Sequence, residues 1–134
     1  MFELALVENL LLQAGEPIVG GTASEAALID SAMSRSERKH VCVVKEWVLL
    51  NVMVSDQDEE LLRTQGLQPT VLFAREILFD SRCLGSRSGA LRSSFQHSHD
   101  AESFDTLDVT YLLAGPGHRK HVSLPALLAL DRWE

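Results

Sequence analysis

FDTLDVTYLLAGPGHRK, residues 104–120, is the stretch on which the reading of the fold turns. Residues 108–113 read as a strand, and Gly115-Pro116-Gly117 reads as a tight turn, because glycine tolerates positive φ and proline presets its own. Residues 119–122 then form a return strand, with His118, Arg119 and Lys120 at a basic tip. The local chemistry predicts a hairpin and names no reaction.

Upstream of it lie weaker strand signals. Pro69 precedes a strand over residues 70–73, residues 77–79 form another short one, and residues 90–96 a weak one. Residues 81–89, rich in Ser, Gly and Arg, and the polar residues 97–105 read as loops. Residues 40–44 and 47–54 are rich in Val, Leu and Trp. They predict two strands joined near Lys45-Glu46, or one long bent strand.

Helical signals flank these strands. Leu4, Val7, Leu11 and Ala14 share a face over residues 2–14, with Gly15 and Pro17 as stops. Thr22-Ala23-Ser24-Glu25 is a capping-box pattern for a second helix reaching about Ser34, which would bury Ala26, Ile29 and Met33. Ser55 starts a third, with Asp56, Asp58 and Glu59 where the helix dipole favours carboxylates, Leu61 and Leu62 facing inward and Gly66 at its end. Ser123 caps a last helix, with Pro125 in the first turn and Leu124, Leu127, Leu128 and Trp133 docking it. The fold class expected is α+β: N-terminal helices, then a mostly antiparallel small sheet with one inserted helix, then a short C-terminal helix.

The 134 residues fit one globular domain spanning 1–134, large enough to fold without a disulfide or metal. At 46% hydrophobic and 23% charged the composition argues against global disorder. A net charge of −7 weighs against nucleic acid as a partner. The start carries Glu3 and Glu8 and no early Lys or Arg, unlike a signal peptide. No run approaches the roughly 20 apolar residues of a membrane helix. Cys42 and Cys83, without CxxC spacing, read as free thiols, so a cytoplasmic setting is expected.

Candidate sites are few. His97 and His99 would share a face of an extended strand, and imidazoles are common metal ligands. His118, His121 or Cys83 could complete such a site; the plain alternative is a polar loop. Arg82, Arg87 and Arg92, with His118, Arg119 and Lys120, are the binding candidates: a basic patch that would steer an acidic partner, or scattered surface charges. The Gly115–Lys120 run could also hold an anion on backbone N–H groups. Cys83 beside Arg82 is the better reactive thiol, and Cys42 in an apolar strand reads as a small hydrophobe. No residue is assigned a catalytic role, and no cofactor is implied.

PTVLFAREILFDSR (residues 69–82), LRSS (residues 91–94) and FDTLDVTYLLAGPGHRK together resemble an uncharacterised family of small proteins from pseudomonad-type bacteria and their prophages. Asp80, Ser81, Arg82, Arg92, Ser93, Tyr111, Gly115, Pro116 and Gly117 carry the resemblance. Residues 89–91 and 108–109 depart from it. The resemblance implies a context and carries over no catalytic residue. The reading favoured is a small cytoplasmic accessory protein, of phage or prophage derivation, that binds another protein such as a host defence or regulatory factor. The alternative is a metal- or anion-dependent enzyme or ligand-binding protein using the His97/His99 region. A homodimer through the apolar N-terminal helix is compatible with either.

Overall fold

The computed structural model describes residues 15–18, 23–35, 39–82, 85–87, 90–99 and 102–133, with the backbone alone at 35, 85–87, 99 and 130–133. The expected helix over residues 2–14 and Cys83 lie outside the described residues. The first described element is a strand, β1 (Glu16–Ile18), followed by α1 (Glu25–Arg35) and the long β2 (His40–Met53). Next come α2 (Asp56–Thr64), β3 (Thr70–Asp80), β4 (Gly85–Arg87), β5 (Leu91–Arg92), β6 (Ser98–His99) and β7 (Ser103–Asp105). The chain ends with β8 (Val109–Ala114), β9 (Gly117–Ser123) and α3 (Leu124–Trp133).

All nine strands join one mixed sheet, which corrects the expected fold class. A single described helix, not a helical N-terminal block, precedes β2. The centre of the sheet is parallel on one side: β2 pairs antiparallel with β3, but parallel with both β8 and β9. The outer pairs, β1 on β9, β7 on β8, β6 on β7, and β4 and β5 on β3, are antiparallel.

Gly115-Pro116-Gly117 therefore does not reverse the chain. β8 pairs His40–Lys45, β9 pairs Val48–Met53, and both run the same way as β2. The expected hairpin is a kink in one long strand. At the kink Lys45 faces Ala114 and Val48 faces His118, so one extra residue is accommodated opposite β2. Both strands break regular conformation there: Glu46 has φ 53° and Gly115 φ 69°. The Trp47 indole N–H donates to Gly115 O at 3.2 Å, and Gly117 lies flat against the same ring. Of the two readings of residues 40–54, the bent strand is the one found.

The Glu46 irregularity shifts the side-chain alternation of β2 by one residue. Val41 and Val43, then Leu50 and Val52, point to one face; Cys42 and Val44, then Trp47 and Leu49, point to the other. α1 packs on the first face over Val41, Val43, Phe79 and Leu112. α3 packs on the same face over Leu50, Val71, Phe73 and Val122. The opposite face is a continuous apolar layer of strand residues around Trp47, Phe104 and Leu113. Burying side chains of this size contributes about 2 kcal/mol each.

The helices seat differently from their sequence reading. Ser24 caps α1, its Oγ accepting from Ala27 N–H at 3.2 Å. Leu28 and Ala32 are the buried residues of α1, while Ala26 and Met33 are exposed. These two, four residues apart, face the sheet with Ile29 partly buried beside them, so the stripe is rotated from the one expected. Ser55 caps α2 as expected, accepting from Asp58 N–H at 3.1 Å. Yet α2 buries none of its residues, and Leu61 is exposed. Its acidic first turn makes it a solvated connector between β2 and β3. Ser123 caps α3 through Ala126 N–H at 3.2 Å. Ala126, Leu127 and Ala129 dock it, while Leu124 and Leu128 face outward. The Trp133 side chain lies outside the described ones.

Candidate functional site

The end of the sheet reached by Asn51 carries a connected polar group on the face without described helices. The run Trp47–Met53 is apolar apart from Asn51, and alternation puts Asn51 on the face of Leu49 and Trp47. Its register neighbours are His121 on β9 and Thr70 on β3. Asn51 Oδ1 accepts from Thr70 Oγ1 at 3.0 Å and from Arg119 Nη1 at 2.7 Å. Two bonds to the oxygen fix the amide orientation and leave Nδ2 with no partner among the described residues.

Gln96 extends this group. Its backbone N–H donates to Thr70 O at 2.8 Å, and its carbonyl accepts from Gln68 N–H at 2.9 Å. Phe95 packs into the α3 cluster, which directs the adjacent Gln96 away from α3. Gln96 is only 7% exposed, and among the described residues its side-chain amide makes no hydrogen bond. An amide buried without a partner costs about 1–3 kcal/mol. Arg119 is half-buried with a single side-chain bond, to Asn51. Glu16 faces Arg119 in register but forms no ion pair with it among the described residues. His121 and Met53 are exposed on the rim, Met53 at 66%. Chemically, the group presents a partly desolvated guanidinium and two amides as donors, and Arg119 is its one cation.

The remaining basic candidates lie elsewhere. Arg82 sits at the far end of β3, bound in a fork to Asp80: Nε to Oδ1 at 2.9 Å and Nη2 to Oδ2 at 3.0 Å. Asp80 is 1% exposed and in register with Cys42, which faces Tyr111. Hydrogen bonding to Asp80 lifts the Arg82 guanidinium above its ordinary range. The stretch of β2 from Cys42 to Asn51 separates this end from Arg119 by about 30 Å at strand rise. Arg92 is exposed on β5 and donates to Ser93 O at 3.2 Å. The Arg87 side chain lies outside the described ones. His118 and Lys120 alternate with Arg119 and point to the helix-bearing face. There burial lowers the Lys120 ammonium from its usual value. Arg82 and Arg119 thus belong to opposite ends of the molecule, and Arg119 is parted from its neighbours by the sheet itself.

His97 is exposed just before β6, and its backbone N–H donates to Asp105 O at 2.7 Å. Its ring stands about 4 Å from where a Gly66 Cβ would be, beside a surface depression of about 310 Å³ lined by Glu59, Arg63, Gly66, Leu67, Gln68 and Pro69. The His99 side chain lies outside the described ones. Among the described residues no three His, Cys, Asp or Glu side chains gather as a metal-ligand set. Cys42 is fully buried, as its apolar strand implies. Nearby, Lys39 Nζ donates to Asp105 Oδ1 at 2.8 Å and to Thr106 O at 2.5 Å, tying the start of β2 to β7.

Arg119 was accessible to sequence reasoning as a cation. Asn51, Thr70 and Gln96 were not, since each is unremarkable until three strands align them. The available signal was Asn51 itself, a lone amide within an otherwise apolar strand. Among the described residues no helix is long and apolar enough to cross a membrane. No curated protein and no solved structure matches the chain. The family described as "Domain of unknown function (DUF6957)" matches residues 19–129, and the chain belongs to that family.

Proposed function

We propose that this chain is a small cytoplasmic accessory protein of pseudomonad-type bacteria or their prophages that acts by binding another protein. The observation that carries the reading is the exposed apolar pair Leu124 and Leu128 on α3, with Met53 exposed where β2 ends beside β9. Met53 pairs with Ser123, and Leu124 follows directly at 43% exposed. Leu128, one helical turn on, is 47% exposed. Single exposed leucines are ordinary, but two of them one turn apart on the outer side of α3, with Met53 exposed at the adjoining end of β2, offer apolar surface of the kind an interface buries. A host defence or regulatory protein is the target that the phage context favours.

The test is capture from nuclease-treated host lysate on the tagged full chain, compared with Leu128→Asp and Met53→Asp. One stoichiometric partner, bound by purified wild type and weakened at least tenfold by either substitution, is the expected result. Capture that ignores both substitutions, or only the chain itself, overturns the reading.

A further inference from the structure

We propose that Arg119, Asn51 and Gln96 form a carboxylate-binding site. Resting on the reading above, its ligand is an acidic side chain or chain terminus of the bound protein. Three features lie side by side across the neighbouring strands β9, β2 and β3 and the segment bonded to β3. The Arg119 guanidinium spends one N–H on Asn51 and has no ion-pair partner among the described residues. The Asn51 amide is locked by Thr70 and Arg119 through its oxygen, which leaves its N–H₂ without a partner among the described residues. The Gln96 amide is nine-tenths buried without a side-chain partner and adjoins Thr70 through its backbone.

The donor set selects the ligand class. A guanidinium presents paired N–H groups that match the two oxygens of a carboxylate, and amide donors take the lone pairs left over. Charge argues against phosphate: Arg119 is the cation of the group, and Glu16 stands opposite it in the strand register. A single negative charge is balanced there, whereas a second is repelled. Leu49 and Leu72, fully buried on the same face one step along their strands, flank the row with apolar surface that limits screening by water. The exposed Met53 on the rim provides an apolar contact for the residue that bears the carboxylate.

The probe is acetate, titrated into the intact chain at constant ionic strength against chloride and inorganic phosphate. The readout is the NMR signals of the Asn51 and Gln96 side-chain amides and the Arg119 Nε–H. Saturable shifts at all three in the millimolar range of acetate are expected, and phosphate is expected to bind more weakly. Arg119→Gln should weaken acetate binding at least tenfold, Arg119→Lys should restore part of it, and Arg63→Gln on α2 should leave it unchanged. Backbone spectra of each variant establish folding. Shifts that do not saturate, or that persist in Arg119→Gln, overturn the site; tighter phosphate binding overturns the carboxylate assignment. A captured partner that binds Arg119→Gln as tightly as wild type removes this inference and leaves the interaction reading standing. Acetate binding without any captured partner supports the site and removes the interaction reading.

Discussion

Adding one methyl group at Gly117 should destabilise the protein through Trp47. A Cβ built there lies 2.4 Å from Trp47 Cδ2, 2.5 Å from Cε3 and 2.6 Å from Cε2. Ordinary carbon contacts begin near 3.5 Å, so the ring or the strand must retreat by about 1 Å. The ring has little freedom to do so. Trp47 is 2% exposed among Leu49, Leu72, Ala74 and Leu113, and its N–H is committed to Gly115 O. Overpacking of this kind costs about 1–3 kcal/mol, and a weakened indole hydrogen bond about 1 more. Gly117→Ala should therefore lose about 3 kcal/mol, lowering Tm by about 10 °C in a domain of this size. The assay is urea unfolding followed by far-ultraviolet circular dichroism, in a cycle with Trp47→Leu. With the ring removed the methyl has room, so Gly117→Ala should then cost under about 1 kcal/mol, a coupling of about 2 kcal/mol. An equal cost in both backgrounds, or a Gly117→Ala protein within about 0.5 kcal/mol of wild type, refutes the reasoning.

Glu46 holds φ 53°, a conformation that a side chain disfavours, so Glu46→Gly should stabilise by about 0.5–1 kcal/mol. Glu46→Val should cost more than about 1 kcal/mol, because branching at Cβ worsens the clash; urea midpoints decide, and the opposite order contradicts the strain. Burial pushes the Asp105 carboxyl up, but hydrogen bonds from Lys39 and Thr110 outweigh it and hold the group below its ordinary value. A carboxyl depressed in the folded state stabilises fully above its unfolded value, near pH 4, and loses this as pH falls through the folded value. Asp105→Asn should then lower the urea midpoint at pH 7 by an amount that vanishes toward pH 2; a gap equal at both ends rules the linkage out.

What the sequence discloses here follows the range of the interaction involved. Ser55 and Ser123 were legible as caps because a cap is settled within four residues. β2 and β8 were legible as strands from their own composition, and β3 as two pieces, residues 70–73 and 77–79, which pairing with β2 joins into one. The direction of β9 was not: Gly115-Pro116-Gly117 is locally a good turn, and only parallel pairing with β2, some 69 or 70 positions away in register, keeps the chain going straight. β4, β6 and β7 are two or three residues long and exist only because a partner strand is present. Leu127 docks α3 and Ile29 packs partly buried under α1 as expected, but the rest of both buried faces was misassigned for a related reason. Alanine and leucine contribute alike to a helical stripe, and the sheet beneath decides which of them it covers. The site divides the same way, with Arg119 visible as a charge and Asn51, Thr70 and Gln96 visible only as a row.

The parallel pairing of one strand with both halves of another also sets an order of assembly. β2 and β3 meet across the short connection from Asn51 to Thr70, so that hairpin can close early. β8 and β9 must then find β2 from far along the chain, which places the protein among slow-folding topologies, in milliseconds to seconds. Each half has its own register on β2, one residue apart, and neither constrains the other until the kink forms. The Trp47 ring lying on Gly117 disfavours a one-residue slip, which would set Pro116 or His118 against the ring where a Cβ has no room. The kink thereby ties the register of β8 to that of β9 in the folded sheet.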